Sequence, residues 1–117
     1  MKKKSLSMKD NIGDRARILH IRDAIEEIKS YVKECDFNTF EENSMMHNAC
    51  IKQLEIIGEA ANRISDELKD TCPEIKWAEI IGLRNILIHE YFGVDIKVIW
   101  DIIQFDLPDF ENKLAAI

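Results

Sequence analysis

Between Asp14 and Glu34 the apolar residues Ile18, Ile21, Ile25, Ile28 and Val32 recur at steps of three and four, while Arg22, Asp23, Glu26, Glu27 and Lys29 fill the positions between them. A 3.6-residue repeat of this kind lays one greasy stripe along a helix and leaves the opposite side wet. The same rhythm returns in Met46, Cys50, Leu54, Ile57, Ala61, Ile64 and Leu68. No strand-like alternation bounded by turn residues is found, and only four Gly and two Pro punctuate the chain. The pattern predicts an all-α protein.

Boundaries follow from local chemistry. The first helix is expected over Asp14 to Glu34, and the segment DFNTFEEN interrupts it, with Thr39 and Glu42 at capping-box spacing for the start of a second, long helix. Within that helix Gly58 costs about 1 kcal/mol relative to Ala, so close approach of a neighbouring backbone is its expected use. Pro73 cannot donate to a helical ladder and disfavours helix at Cys72, which places the end of the long helix at TCPEIK. A third helix opens at Trp77 and buries Ile80, Ile81, Leu87 and Ile88, with Gly93 as its C-terminal cap. Asp95 caps a fourth, carrying Val98, Ile99, Trp100, Ile102 and Ile103, and Pro108 opens a short last helix that docks Phe110 and Leu114. The expected architecture is an up-and-down four-helix bundle with a short extra C-terminal helix. At 117 residues the chain is read as a single domain, 1–117, with residues 1–12 as a mobile basic tail.

The lysines of MKKKSLSMKD lack the apolar stretch that a signal peptide requires, and no apolar run approaches the roughly 20 residues that span a bilayer. A cytoplasmic protein with no membrane partner is expected. Cys35, Cys50 and Cys72 are odd in number and form no C-x-x-C pair, and His20, His47 and His89 show neither H-x-x-x-H nor E-x-x-H spacing, so no metal site and no cofactor are expected. No glycine-rich phosphate loop occurs. Net charge is −6 with a pI near 5.1, which repels phosphate backbones at long range and confines any nucleic acid to a local site.

Residues 84–91, RNILIHEY, place a guanidinium, an imidazole and a phenol at the end of an Ile- and Leu-rich segment. Arg84 and His89 lie about 140° apart around an ideal helix, so they do not share a face. Arg84 lies beside the apolar stripe and needs a partner, because burying an unpaired charge costs several kcal/mol. Glu55 or Glu59 of the long helix would serve, in which case Arg84 ties two helices together. His89 is open to being a hydrogen-bonded core or helix-end histidine, Tyr91 a packing residue with a wet hydroxyl, and Asn85 a surface amide.

RNILIHEYFGVD, with the preceding WAEIIGL, the later VIW and DLP, and QLEIIGEAANRIS in the second helix, resembles the HepT-like branch of the HEPN family from about Asp14 to Ala116. The resemblance implies a helical-bundle ribonuclease, the toxin of a prokaryotic, type VII-like toxin–antitoxin pair. It implies a homodimer in which each protomer contributes Arg84 and His89 to one composite cleft, with Asn85 as an orienting residue. It also implies an MntA-like nucleotidyltransferase antitoxin that silences the toxin by moving AMP from ATP onto Tyr91. With an ordinary imidazole pKa of about 6.5, one histidine can take the proton of the ribose 2′-OH while its symmetry mate protonates the leaving 5′-oxygen, without a metal. A two-fold axis would explain why two groups on different sides of one helix serve one site.

Two other classes compete. One is a non-catalytic helical interaction module that binds a nucleotidyltransferase. The other is a nucleotide-binding adaptor with Arg84 on phosphates and Trp77 or Trp100 stacking on a base.

Overall fold

The computed structural model describes residues 8–89 and 95–117, with backbone alone for 8–12 and for Ile86, Ile88 and His89. Every regular element among them is helical. Helix α1 (Met8–Tyr31) buries Ile18, Ile21, Ala24, Ile25 and Ile28 on the stripe predicted for it. It begins six residues before the expected start, so that residues 8–12 of the basic stretch belong to its backbone and 1–7 lie outside the described residues.

The second expected helix is divided. A short α2 (Phe37–Glu42) starts where Asp36 accepts the Thr39 N–H at 2.9 Å, and the long α3 (Ser44–Arg63) starts where Asn43 accepts the Met46 N–H at 2.9 Å. Asp and Asn three residues ahead of the donor are stronger caps than the Thr39–Glu42 box, and Thr39 is a donor here. Phe40 of α2 is fully buried, its ring 5.0 Å from that of Trp100. At the other end, α3 stops at Arg63 instead of running to the proline, and a single turn α4 (Asp66–Asp70) follows with Ser65 as its cap. The cause is long-range: buried Asp14 of α1 accepts both the Ser65 N–H (2.9 Å) and its hydroxyl (2.6 Å), holding Ser65 in extended backbone. Asp14 meets Ser65 at one end while Cys35 meets Met46 at the other, so α1 and α3 run antiparallel.

Helix α5 (Trp77–His89) packs on α3, and Trp77 closes its start by donating the indole N–H to the Cys72 carbonyl at 3.2 Å. The expected Gly93 cap lies outside the described residues. Asp95 caps α6 (Ile96–Asp101) through the Lys97 N–H, as predicted.

The expected short C-terminal helix is α7 (Leu107–Leu114), with Pro108 in its first turn, and a π-helical stretch, Ile102–Asp106, joins it to α6 so that residues 96–114 run on as one rod. The Leu107 N–H reaches back five residues to the Ile102 carbonyl. That wider turn stands where the Pro108 ring would otherwise strike the carbonyl four residues before it, so the proline is accommodated without a break. Phe110 and Leu114 dock as expected, and Arg22 of α1 donates to the Leu114 carbonyl at 2.9 Å. Four helical rods, α1, α3, α5 and α6–α7, thus enclose a core centred on Ile21, Ile28, Leu54, Ile57, Leu87 and Ile99.

Candidate functional site

Helices α3 and α5 come into close contact at Gly58. A β-carbon there would stand 2.9 Å from the Arg84 Cβ, 3.2 Å from the Arg84 amide nitrogen and 3.3 Å from the Ile80 carbonyl oxygen. Glycine is required because two of these three neighbours are backbone atoms that cannot swing aside. Gly58→Ala is expected to lose about 1 kcal/mol in denaturant unfolding, because an overpacking cost of about 2 kcal/mol, the middle of its usual range, outweighs alanine's helix propensity of about 1 kcal/mol. Unchanged or higher stability would show that α5 slides freely at this crossing.

This contact sets Arg84 against the next residue of α3. The Arg84 Nε lies 2.7 Å from Glu59 Oε1, and the other oxygen, Oε2, accepts from the Arg63 Nε at 3.0 Å. One carboxylate therefore holds two guanidinium groups. Of the two partners anticipated for Arg84, Glu59 is the one used. The Arg84 side chain is 30% exposed, so its aliphatic stem is covered while its head reaches a hollow.

That hollow, of about 520 Å³, lies between α1 and α3 at the mouth of the crossing. Arg17 and His20 line it from α1, Lys52, Glu55, Ile56, Glu59 and Arg63 from α3, and Arg84 from α5. Four permanent cations stand against two carboxylates in a chain of net charge −6. The local charge is the reverse of the global one. Sequence reading missed Arg17, His20, Lys52 and Arg63, although Arg17 and His20 are three apart and Lys52, Glu55, Glu59 and Arg63 follow steps of three and four, which places each set on one helix face. Two other hollows, between α5 and the C-terminal rod and between α1 and that rod, are lined by no motif residue among the described ones.

The remaining candidates fall as follows. Asn85 is exposed beside Arg84. His89 is the last residue of α5, with only its backbone described, and Tyr91 lies outside the described residues. Both tryptophans are committed to packing: Trp77 is buried edge-on to Phe110, and half-buried Trp100 lies against Phe37 and Phe40. The stacking role imagined for them has no open ring face at Trp77. His47 is bound to the Phe40 carbonyl at 3.0 Å. Burial pushes the Cys50 thiol up to about 12 and raises that of Cys35 as well, which keeps both as inert thiols at neutral pH. Among the described residues no His, Cys, Asp and Glu side chains group as a metal site would require.

Fold and cleft together define a small helical-bundle protein with a cationic groove at a helix crossing. The family described as "Ribonuclease HepT-like" matches residues 21–117, and the chain belongs to that family. A relative provisionally named an RNase in Methanocaldococcus jannaschii is 36% identical over 88% of this chain and 94% of its own. A relative provisionally named ribonuclease HepT in Thermococcus cleftensis is 41% identical over 83% of this chain and 88% of its own. A third, provisionally named an RNase in Caldanaerobacter subterraneus subsp. tengcongensis, is 35% identical over 88% and 92%. No solved structure matches the chain. No helix among the described residues is long and apolar enough to cross a membrane.

Proposed function

We propose that the chain is a metal-independent endoribonuclease, the toxin of a type VII-like toxin–antitoxin pair, with Arg84 and His89 as its catalytic residues. The observation that carries this is the placement of Arg84 in a cationic hollow on an acidic protein, within a stretch matched by a ribonuclease family. The relatives' RNase names support the substrate class.

Two protomers meeting around α5 would bring two Arg84–His89 pairs to one cleft. One imidazole removes the proton of the ribose 2′-OH as the 2′-oxygen attacks the adjacent phosphorus. The bond from phosphorus to the 5′-oxygen breaks, and the second imidazole, protonated, gives that oxygen its proton. Arg84 stabilises the charge on the five-coordinate phosphate, its planar fork matching two of the oxygens. Asn85, exposed one residue on, orients the substrate. The products are a 2′,3′-cyclic phosphate and a 5′-hydroxyl, and DNA is not cut because it lacks the nucleophile.

Regulation falls to Tyr91. An MntA-like nucleotidyltransferase moves AMP from ATP onto the phenol oxygen with release of pyrophosphate, which adds bulk and negative charge beside the groove.

The test is cleavage of RNA by purified protein in EDTA, with end-group analysis of the fragments and His89→Ala as the control. The expected result is cyclic-phosphate ends from the wild type, no cutting of DNA of the same sequence, and loss of cleavage in the variant. A second reading, the non-catalytic module, is favoured by the Arg84–Glu59 pair, which ties α3 to α5 whether or not chemistry occurs. Wild-type protein that leaves RNA intact yet binds the nucleotidyltransferase would establish that reading instead.

A further inference from the structure

We infer that the hollow between α1 and α3 is an RNA-backbone subsite that continues from Arg84 along α3, beyond the scissile phosphate, in which Glu59 occupies the position of a phosphate until substrate displaces it. The inference rests on the ribonuclease reading for its substrate class, but apart from Arg84 its residues lie outside the RNILIHEY motif.

Glu59 accepts a hydrogen bond from the Arg63 Nε at 3.0 Å, and its other oxygen forms an ion pair with the Arg84 Nε at 2.7 Å. Two guanidinium groups converging on one anion, each with donors to spare, reproduce the way arginines take a phosphate. Arg17 supplies a third. Its Nη1 would lie 2.6 Å from a β-carbon on Gly13, so the side chain folds back along α1 over the glycine. No carboxylate pairs with Arg17 among the described residues.

Lys52 extends the row. From Lys52 to Arg63 is eleven residues of α3, about 16 Å along the axis, longer than a single nucleotide. Its Glu55 contact, at 3.9 Å with Lys52 largely exposed, is weak enough for a phosphate to compete. Ile56, 36% exposed between these charges, offers an apolar floor to a sugar or a base face. Lining of this kind suits the backbone of a single strand, whose phosphates meet cations while its sequence goes unread.

Binding is tested by fluorescence anisotropy with a labelled, uncleavable 2′-O-methyl RNA oligonucleotide over a range of salt. Replacing both Arg17 and Lys52 by Gln is expected to weaken binding on the order of tenfold at 0.1 M salt and to flatten the log–log salt slope by about 1.4, at about 0.7 per lost cation. Lys33→Gln, an exposed lysine outside the hollow, is expected to leave both unchanged. Glu59→Gln is expected to tighten binding, a gain that misfolding cannot imitate. Wild-type binding and cleavage with unchanged affinity and slope in the Arg17/Lys52 double variant, or weaker binding by Glu59→Gln, would overturn the subsite. If the wild type binds the oligonucleotide through Arg17 and Lys52 but leaves RNA uncut, the subsite stands and the ribonuclease reading falls. If it binds no oligonucleotide, the subsite falls.

Discussion

Arg84→Ala is expected to lower RNA cleavage by about 100- to 1,000-fold while leaving the fold nearly as stable as before. The first half follows from the worth of a preorganised cation at a developing phosphorane charge, about 3–4 kcal/mol when removed. The second half follows from the pair's exposure. Arg84 and Glu59 side chains are 30% and 43% exposed, so solvent screens their attraction to no more than about 1 kcal/mol. Removal of Arg84 also leaves no orphaned charge, because Arg63 remains 3.0 Å from the other carboxylate oxygen. Arg84→Lys keeps the charge but not the fork and is expected to fall between. Cleavage assays at saturating RNA, beside denaturant unfolding of each variant, separate the two effects. A variant that unfolds easily yet cuts normally would make Arg84 a tie between helices and nothing more.

How much of this was legible without coordinates depends on the range of the interaction concerned. The stripe of α1, the Asp95 cap and the need for glycine at residue 58 are local or nearly so, and each appears in the structure where the sequence places it. Glu59 could be anticipated because Arg84 had to find a carboxylate on the neighbouring helix. The ends of α3 could not be read with the same ease. Its start is written in Asn43, a stronger cap than the Thr39–Glu42 box that competes with it. Its end is decided by Asp14, fifty-one residues away, which no window on the periodicity of α3 contains. The cationic hollow was hidden for a related reason. Net charge averages over the whole surface, whereas substrate meets the sum over one groove, and the groove takes its charges from three helices. His89 and Tyr91 stand on their family motif alone.

Asp14→Ala is expected to cost about 3 kcal/mol, on the order of 10 °C in Tm, and to weaken RNA binding in the fraction that remains folded. Asp14 is 4% exposed, and its two hydrogen bonds are the link between the start of α1 and the end of α3. Alanine removes a charged acceptor from both and leaves the Ser65 N–H and hydroxyl facing a space that water fills poorly. Ser65 also caps α4 through the Leu68 N–H at 3.2 Å, so its reorientation loosens that turn as well. Asp14→Asn keeps the volume and one acceptor and is expected to recover part of the loss. The functional consequence follows from position: Gly13 and Arg17 flank Asp14 on α1 and both line the hollow. With the staple gone, that wall is held to α3 by the buried stripe that begins only at Ile18. Thermal unfolding of both variants, with oligonucleotide affinity measured well below their transitions, checks the coupling. A destabilised Asp14→Ala protein that binds RNA at wild-type affinity would show that the α1 wall keeps its place without Asp14.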